Sequence, residues 1–266
     1  MKVIFMPYVE NNGIKVHYVV EGQGPPIVML HASMGSYAEW HNGDYINTLK
    51  NEYKLILIDL RGHGASDKPH DIKYYSSREF TSDIIAVLDD LNISKAHCWG
   101  YSMGGTIAFF LSRDYPERFF SFIIGGANPQ GYIGESLELF EHVRELLKVG
   151  ADGLLVYLRE RGDEISPENE KGLRAMDYEV INAWTNSEDL YDRVDEHLPE
   201  LDIPFLFYAG EKDEWNPYHY LVKISEKMKF AKTILFPDAG HDIHYRKGVV
   251  LPYVTEFLKN TDKIKR

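Results

Sequence analysis

Gly100-Tyr101-Ser102-Met103-Gly104-Gly105 joins two apolar runs. The run before it, Ala96-His97-Cys98-Trp99, is short and strand-like. The run after it, Thr106 to Leu111, starts a helix that the pattern carries to Asp114. A Gly-x-Ser-x-Gly between a strand and a helix is the nucleophile elbow. Its turn is so tight that the positions two residues either side of the serine must be nearly free of side chain, and glycine stands at both, 100 and 104. The serine hydroxyl is thrust above the sheet, where the following helix aims its unpaired N–H groups.

Outward from the elbow, strands and helices alternate. Ile14 to Val20, Ile27 to Leu30, Leu55 to Ile58 and Phe122 to Ile124 read as strands, with helices at Ala38 to Leu49 and Arg78 to Leu91. Leu55-Ile56-Leu57-Ile58 is continuously apolar, as strands buried on both faces of a parallel sheet are. The alternation resumes with strands at Phe205 to Tyr208 and Thr233 to Phe236 and helices at Tyr218 to Met228 and Val249 to Leu258. The pattern predicts an α/β fold with a doubly wound, mostly parallel sheet. Residues 127–185 break the rhythm with helical periodicity alone. Phe140, Val143 and Leu147 share one helical face, as do Leu173, Met176, Val180 and Trp184. The expected organisation is a core of residues 1–126 and 186–266, with 127–185 as a small all-helical cap. The cap follows the strand after the elbow helix, at the sheet edge where ligands bind.

A serine hydroxyl needs a base to take its proton. His241, in Pro237-Asp238-Ala239-Gly240-His241-Asp242, follows a strand and is presented by the turn at Gly240. His244 is the competitor, further toward the last helix. The base needs a third group to hold its tautomer. Asp213 lies between the strand ending at Ala209 and the helix that Pro217 introduces, with Glu211 and Glu214 as rivals in the same loop. The order Ser102, Asp213, His241 is that of the elbow arrangement. An oxyanion requires donors. The backbone N–H of Met103 is one candidate. The loop His31-Ala32-Ser33-Met34 offers the other, Ser33 before Met34.

The composition restricts partners. Hydrophobic residues make up 44% of the 266 and charged residues 26%, ordinary for a globular chain. A formal net charge of −12 repels nucleic acid and anionic membranes, so neither is an expected partner. Cys98 is the single cysteine, which leaves no internal disulfide, and it reads as a buried small hydrophobe. The Val3-Ile4-Phe5-Met6 run is too short for a signal core and no apolar stretch spans a membrane, so the expected location is the cytoplasm. No motif calls for a metal or a cofactor, and the oligomeric state stays open.

Four segments in order carry a family resemblance: His31-Ala32-Ser33, Asp59-Leu60-Arg61-Gly62-His63-Gly64-Ala65-Ser66, the elbow, and Gly240-His241. On these the chain resembles the α/β-hydrolase superfamily over essentially its whole length. The family usually has His-Gly where this chain has His31-Ala32, a methyl beside the oxyanion loop. The resemblance implies that Asp59 to Ser66 is a structural turn and that His31 and His63 are scaffold residues. Related haloalkane dehalogenases and epoxide hydrolases carry aspartate where Ser102 stands, and proline-type aminopeptidases carry tryptophan where Met103 stands. The expected activity is therefore hydrolysis of a small carboxylic ester or lactone through an acyl-enzyme. Met34, Phe140, Tyr157, Met176, Trp184 and Trp215 are candidates for lining the acyl pocket. One alternative is carbon–carbon bond hydrolysis of a dienone acid, for which Arg144, Arg159, Arg161 and Arg174 offer carboxylate partners. Another is a slow, receptor-like ligand-binding hydrolase.

Overall fold

In the computed structural model, which describes residues 7–187 and 189–264, eight strands form one sheet. They are β1 Tyr8–Asn11, β2 Ile14–Glu21, β3 Pro26–Leu30, β4 Lys54–Ile58, β5 Ala96–Tyr101, β6 Phe119–Gly125, β7 Phe205–Gly210 and β8 Ala231–Phe236. Their spatial order is β1-β2-β4-β3-β5-β6-β7-β8. β1 and β2 pair antiparallel, as do β2 and β4, and the pairs from β4–β3 onward are parallel. The Val3 to Met6 run lies outside the described residues.

The helices are α1 Tyr45–Leu49, α2 Ser77–Asp90, α3 Met103–Asp114, α4 Glu135–Leu147, α5 Ala151–Glu160, α6 Pro167–Arg174, α7 Tyr178–Thr185, α8 Tyr218–Ser225 and α9 Leu251–Ile264. Successive strand residues point to opposite faces, and each face buries its own core. Val28, Ile56, Cys98, Ile124 and Phe207 pack with α2, α3 and α8 on one side. Met29, Leu57, Trp99, Ile123 and Tyr208 pack with α1 and α9 on the other. Helices on both faces of a mainly parallel sheet make the doubly wound α/β fold that the sequence predicts. Cys98 is fully buried, and burial pushes its thiol pKa up.

Two expected helices differ. Ala38 to Leu49 is a 3₁₀ turn at Tyr37–His41 followed by the short α1. Gly43 and Asp44 separate the two, Asp44 in the left-handed region at φ 64°. The face expected to run from Leu173 through Met176 to Trp184 is also interrupted. The Asp177 carboxylate accepts from the Val180 N–H at 3.2 Å and caps a new helix, α7, leaving Met176 in the break.

The turn after β4 fixes the sheet beside the site. The Asp59 carboxylate accepts from the backbone N–H groups of Tyr37 and Ala65, at 2.7 and 2.9 Å. Arg61 makes a two-pronged pair with Asp83 of α2, 2.7 Å at each prong, with both side chains buried. Between β6 and β7 the described chain carries α4 to α7 and no strand.

Candidate active site

Ser102 sits where β5 ends and α3 begins, with φ 52° and ψ −118°. A Cβ on Gly100 would lie 2.2 Å from the Gly104 carbonyl oxygen, and one on Gly104 would lie 2.2 Å from that of Leu30. Neither position admits a larger residue. The strained serine conformation is thus imposed by its two glycines and by the bond from its own N–H to the Gly125 carbonyl, 2.9 Å.

The loops after β7 and β8 bring two partners to Ser102. The serine hydroxyl lies 2.9 Å from His241 Nε2, and His241 Nδ1 lies 2.8 Å from Asp213 Oδ2. The other Asp213 oxygen accepts from the N–H groups of Trp215 and Asn216, both at 3.0 Å. Asp213 is therefore buried and held as a carboxylate acceptor facing one imidazole nitrogen. The N–H of Lys212 donates to the Ala239 carbonyl at 2.9 Å and ties the two loops together. Glu211 and Glu214 are exposed. His244 is no neighbour of the serine. It is fully buried, stacked on Tyr101 with ring centroids 4.3 Å apart, and its Nδ1 lies 2.9 Å from the Tyr208 hydroxyl oxygen.

Two residues expected to supply backbone donors share this place. Met103 and Ser33 line the cavity that holds Ser102, and neither N–H has a protein acceptor among the described residues. Met34 lines it too. The loop carrying Ser33 is fastened from three sides. The Gly104 N–H donates to the His31 carbonyl at 3.1 Å, the Gly35 N–H to the Ala32 carbonyl at 3.2 Å, and the Ala32 N–H to Glu39 Oε1 at 2.7 Å. The Ala32 methyl is buried in the core of the opposite face rather than in the cavity. Glu39 escapes sequence reading because its partner is a backbone N–H seven residues away. Burial pushes its carboxyl up to about 8, and the Ala32 bond opposes that.

The cavity has a volume of about 210 Å³. Phe140, Tyr157, Trp184 and Trp215 line it, whereas Met176 does not. Tyr132 and Tyr191, unread in the sequence, complete an aromatic wall: Tyr132 stacks on Phe140 at 4.3 Å and Tyr191 lies 4.7 Å from it. Of the four arginines proposed for carboxylates, Arg144 alone lines the cavity. Arg174 pairs with Asp152 and Glu170, Arg161 bonds the Tyr157 hydroxyl, and Arg159 is exposed. No group of three or more His, Cys, Asp or Glu among the described residues is placed to hold a metal ion.

Residues 25–151 match the family model of the alpha/beta hydrolase fold. The chain has the α/β-hydrolase fold. A Bacillus subtilis (strain 168) protein, provisionally named a 2-succinyl-6-hydroxy-2,4-cyclohexadiene-1-carboxylate synthase, is 29% identical over 91% of this chain and 95% of its own. Among solved structures, Est816, described as an N-acyl homoserine lactone degrading enzyme, is 28% identical with a TM-score of 0.73, covering 94% of this chain and 100% of that one. The meta-cleavage product hydrolase CumD from Pseudomonas fluorescens IP01, solved as a serine-to-alanine mutant complexed with acetates, is 26% identical with a TM-score of 0.69, covering 96% and 97%. The chain is thus similar to proteins of several chemistries, and its substrate must be argued from its own cavity. No described helix is long and apolar enough to cross a membrane.

Three buried histidines around this hydrolase's site make its fold acid-sensitive. Burial holds His31 down to about 4 and His63 and His244 to about 3. A histidine whose folded pKa is depressed contributes stability above its unfolded value, about 6.5, and loses it as pH falls. Each contributes a slope of about 1.4 kcal/mol per pH unit in that window. Glu39 acts in the opposite sense, since its raised pKa favours the fold at low pH and the benefit is lost as pH rises toward about 8. With three protons against one, the melting temperature should drop steeply from pH 6.5 to 4.5. A flat profile across that window would contradict the neutral buried imidazoles.

Proposed function

We propose that the protein is a serine hydrolase that cleaves small carboxylic esters or lactones through an acyl-enzyme on Ser102. The observation that carries this reading is the unbroken hydrogen-bonded chain Ser102–His241–Asp213, opening on a cavity that Met103 and Ser33 line with no acceptor for their N–H groups among the described residues. Ser102 Oγ bonds to the scissile carbonyl carbon as its proton passes to His241 Nε2. The oxygen that becomes negative is met by the N–H groups of Met103 and Ser33, the donors in this reading of the oxyanion hole. The C–O bond then breaks, and His241 returns the proton to the leaving alcohol. Water next gives a proton to His241 and attacks the acyl carbon, and Ser102 leaves with that proton. Asp213 keeps Nδ1 protonated, so that Nε2 is the basic nitrogen, and stabilises the imidazolium.

Residues 127–185 are, in this reading, a cap that sets acyl selectivity. Its support is that Phe140, Tyr157 and Trp184, from α4, α5 and α7, share the cavity with Ser102. Each methylene fitted or excluded is worth about 10–200-fold in kcat/KM. With about 210 Å³ available, short acyl chains should win. Trp184→Ala or Phe140→Ala should move the optimum toward longer chains and lower stability by about 3–5 kcal/mol. A p-nitrophenyl ester series run beside thermal melts checks both, and an unshifted length profile in both variants refutes the cap's role. Many turnovers per molecule in the same assay separate an enzyme from a receptor-like protein that stalls after one.

Likeness to the CumD hydrolase supports a second reading, carbon–carbon bond hydrolysis of a dienone acid by the same serine. Loss of dienone absorbance with no ester turnover would favour it. The single buried thiol, Cys98, suits a cytoplasmic location in either case.

A further inference from the structure

Arg144 occupies the last turn of α4, one turn beyond Phe140, with its guanidinium 5.8 Å from that ring's centre. It lines the cavity that contains Ser102 and His241. Its Nε is buried and has no acceptor. The nearest carboxylate, Glu141, reaches Nη2 only at 4.0 Å, and no acidic side chain is among the described residues lining the cavity. Leaving a buried donor unpaired is costly, and more so for a charged one. Arg144 is the one Lys or Arg among the described residues lining the cavity, and in a chain of net charge −12 its guanidinium has no acidic partner there.

We infer that Arg144 forms a carboxylate subsite, so that the substrate is a small ester or lactone whose acyl part ends in a free carboxylate. This rests on the reading of Ser102 as nucleophile. The two Nη groups of a guanidinium match the two oxygens of a carboxylate in a fork. A phosphate brings a third oxygen and a second charge, for which this largely aromatic wall has no additional cation. The apolar side chains lining the same cavity hold the methylenes that join the carboxylate to the scissile carbonyl.

Binding tests the subsite apart from turnover. Trp184 and Trp215 line the cavity, so ligand entry is read by quenching of tryptophan fluorescence. The parent should bind the best of succinate, glutarate and adipate at least about 10-fold tighter than the neutral diol of the same length. Arg144→Gln should lose that preference, and Arg144→Lys, which keeps the charge without the fork, should keep part of it. In turnover, the parent should prefer monomethyl adipate over methyl hexanoate, and Arg144→Gln should reduce that ratio about 10-fold or more. A diol bound as tightly as the diacid, or a ratio unchanged in Arg144→Gln, overturns the subsite. Diacid binding without fluorophosphonate labelling of Ser102 leaves the subsite standing and removes the serine reading instead.

Discussion

Ser102→Ala should cut ester turnover by about 10⁴-fold or more while the protein melts close to the parent temperature. Nucleophile, base and acid act as a unit, so removing the nucleophile removes the whole covalent route. The fold should be spared because alanine meets the same φ of 52° that serine already tolerates, and the bond from residue 102 N–H to the Gly125 carbonyl is a backbone one. Activity should disappear from kcat rather than through KM, since the cavity wall is untouched. A variant that keeps more than about a hundredth of parental kcat would place the chemistry on another residue.

Asp213→Asn should cost up to about 10⁴-fold in kcat, again with the fold intact. Asparagine retains an oxygen to accept from the Trp215 and Asn216 N–H groups, so the loop should keep its shape. Its NH₂ then faces His241 Nδ1, where a carboxylate oxygen stood at 2.8 Å. That stabilises the tautomer with the proton on Nε2, which faces Ser102 and has no capacity to take its proton. Steady-state kinetics beside a thermal melt measure both effects. If Glu211→Gln proves more damaging than Asp213→Asn, the acid is Glu211, although it is exposed here.

The sequence makes some of this legible for definite physical reasons. β4, β5 and β7 are buried along nearly their whole lengths, and double burial writes itself as an unbroken apolar run. The elbow is legible because its geometry excludes side chains at positions 100 and 104. β1, by contrast, alternates between exposed and half-buried positions in Tyr-Val-Glu-Asn and offers no comparable signal. The break at Gly43 and Asp44 falls inside a helical pattern because Ala38, Tyr45 and Leu49 keep a helical spacing across it.

The site is read in part. Histidine order selects the loop after β8, but choosing between His241 and His244 requires the aromatic nest of Trp40, Tyr45 and Tyr101 that encloses His244. Arg144 stands one turn from Phe140 on the face the periodicity marks as apolar, and that contradiction is a signal the spacing already contains. Met176 is misplaced because an aspartate cap ends one helical phase and starts another. Tyr132 and Tyr191 lie outside the helices of this segment, where periodicity carries no information.

The central claim is that Ser102 is a nucleophile activated by His241, and covalent labelling measures it without reference to any substrate. The parent protein and Ser102→Ala are treated with a fluorophosphonate, digested, and the modified peptide is identified by mass spectrometry. One adduct is expected, on Ser102 in the parent, and none in the variant. An adduct on a different residue, or undiminished labelling of Ser102→Ala, would contradict it.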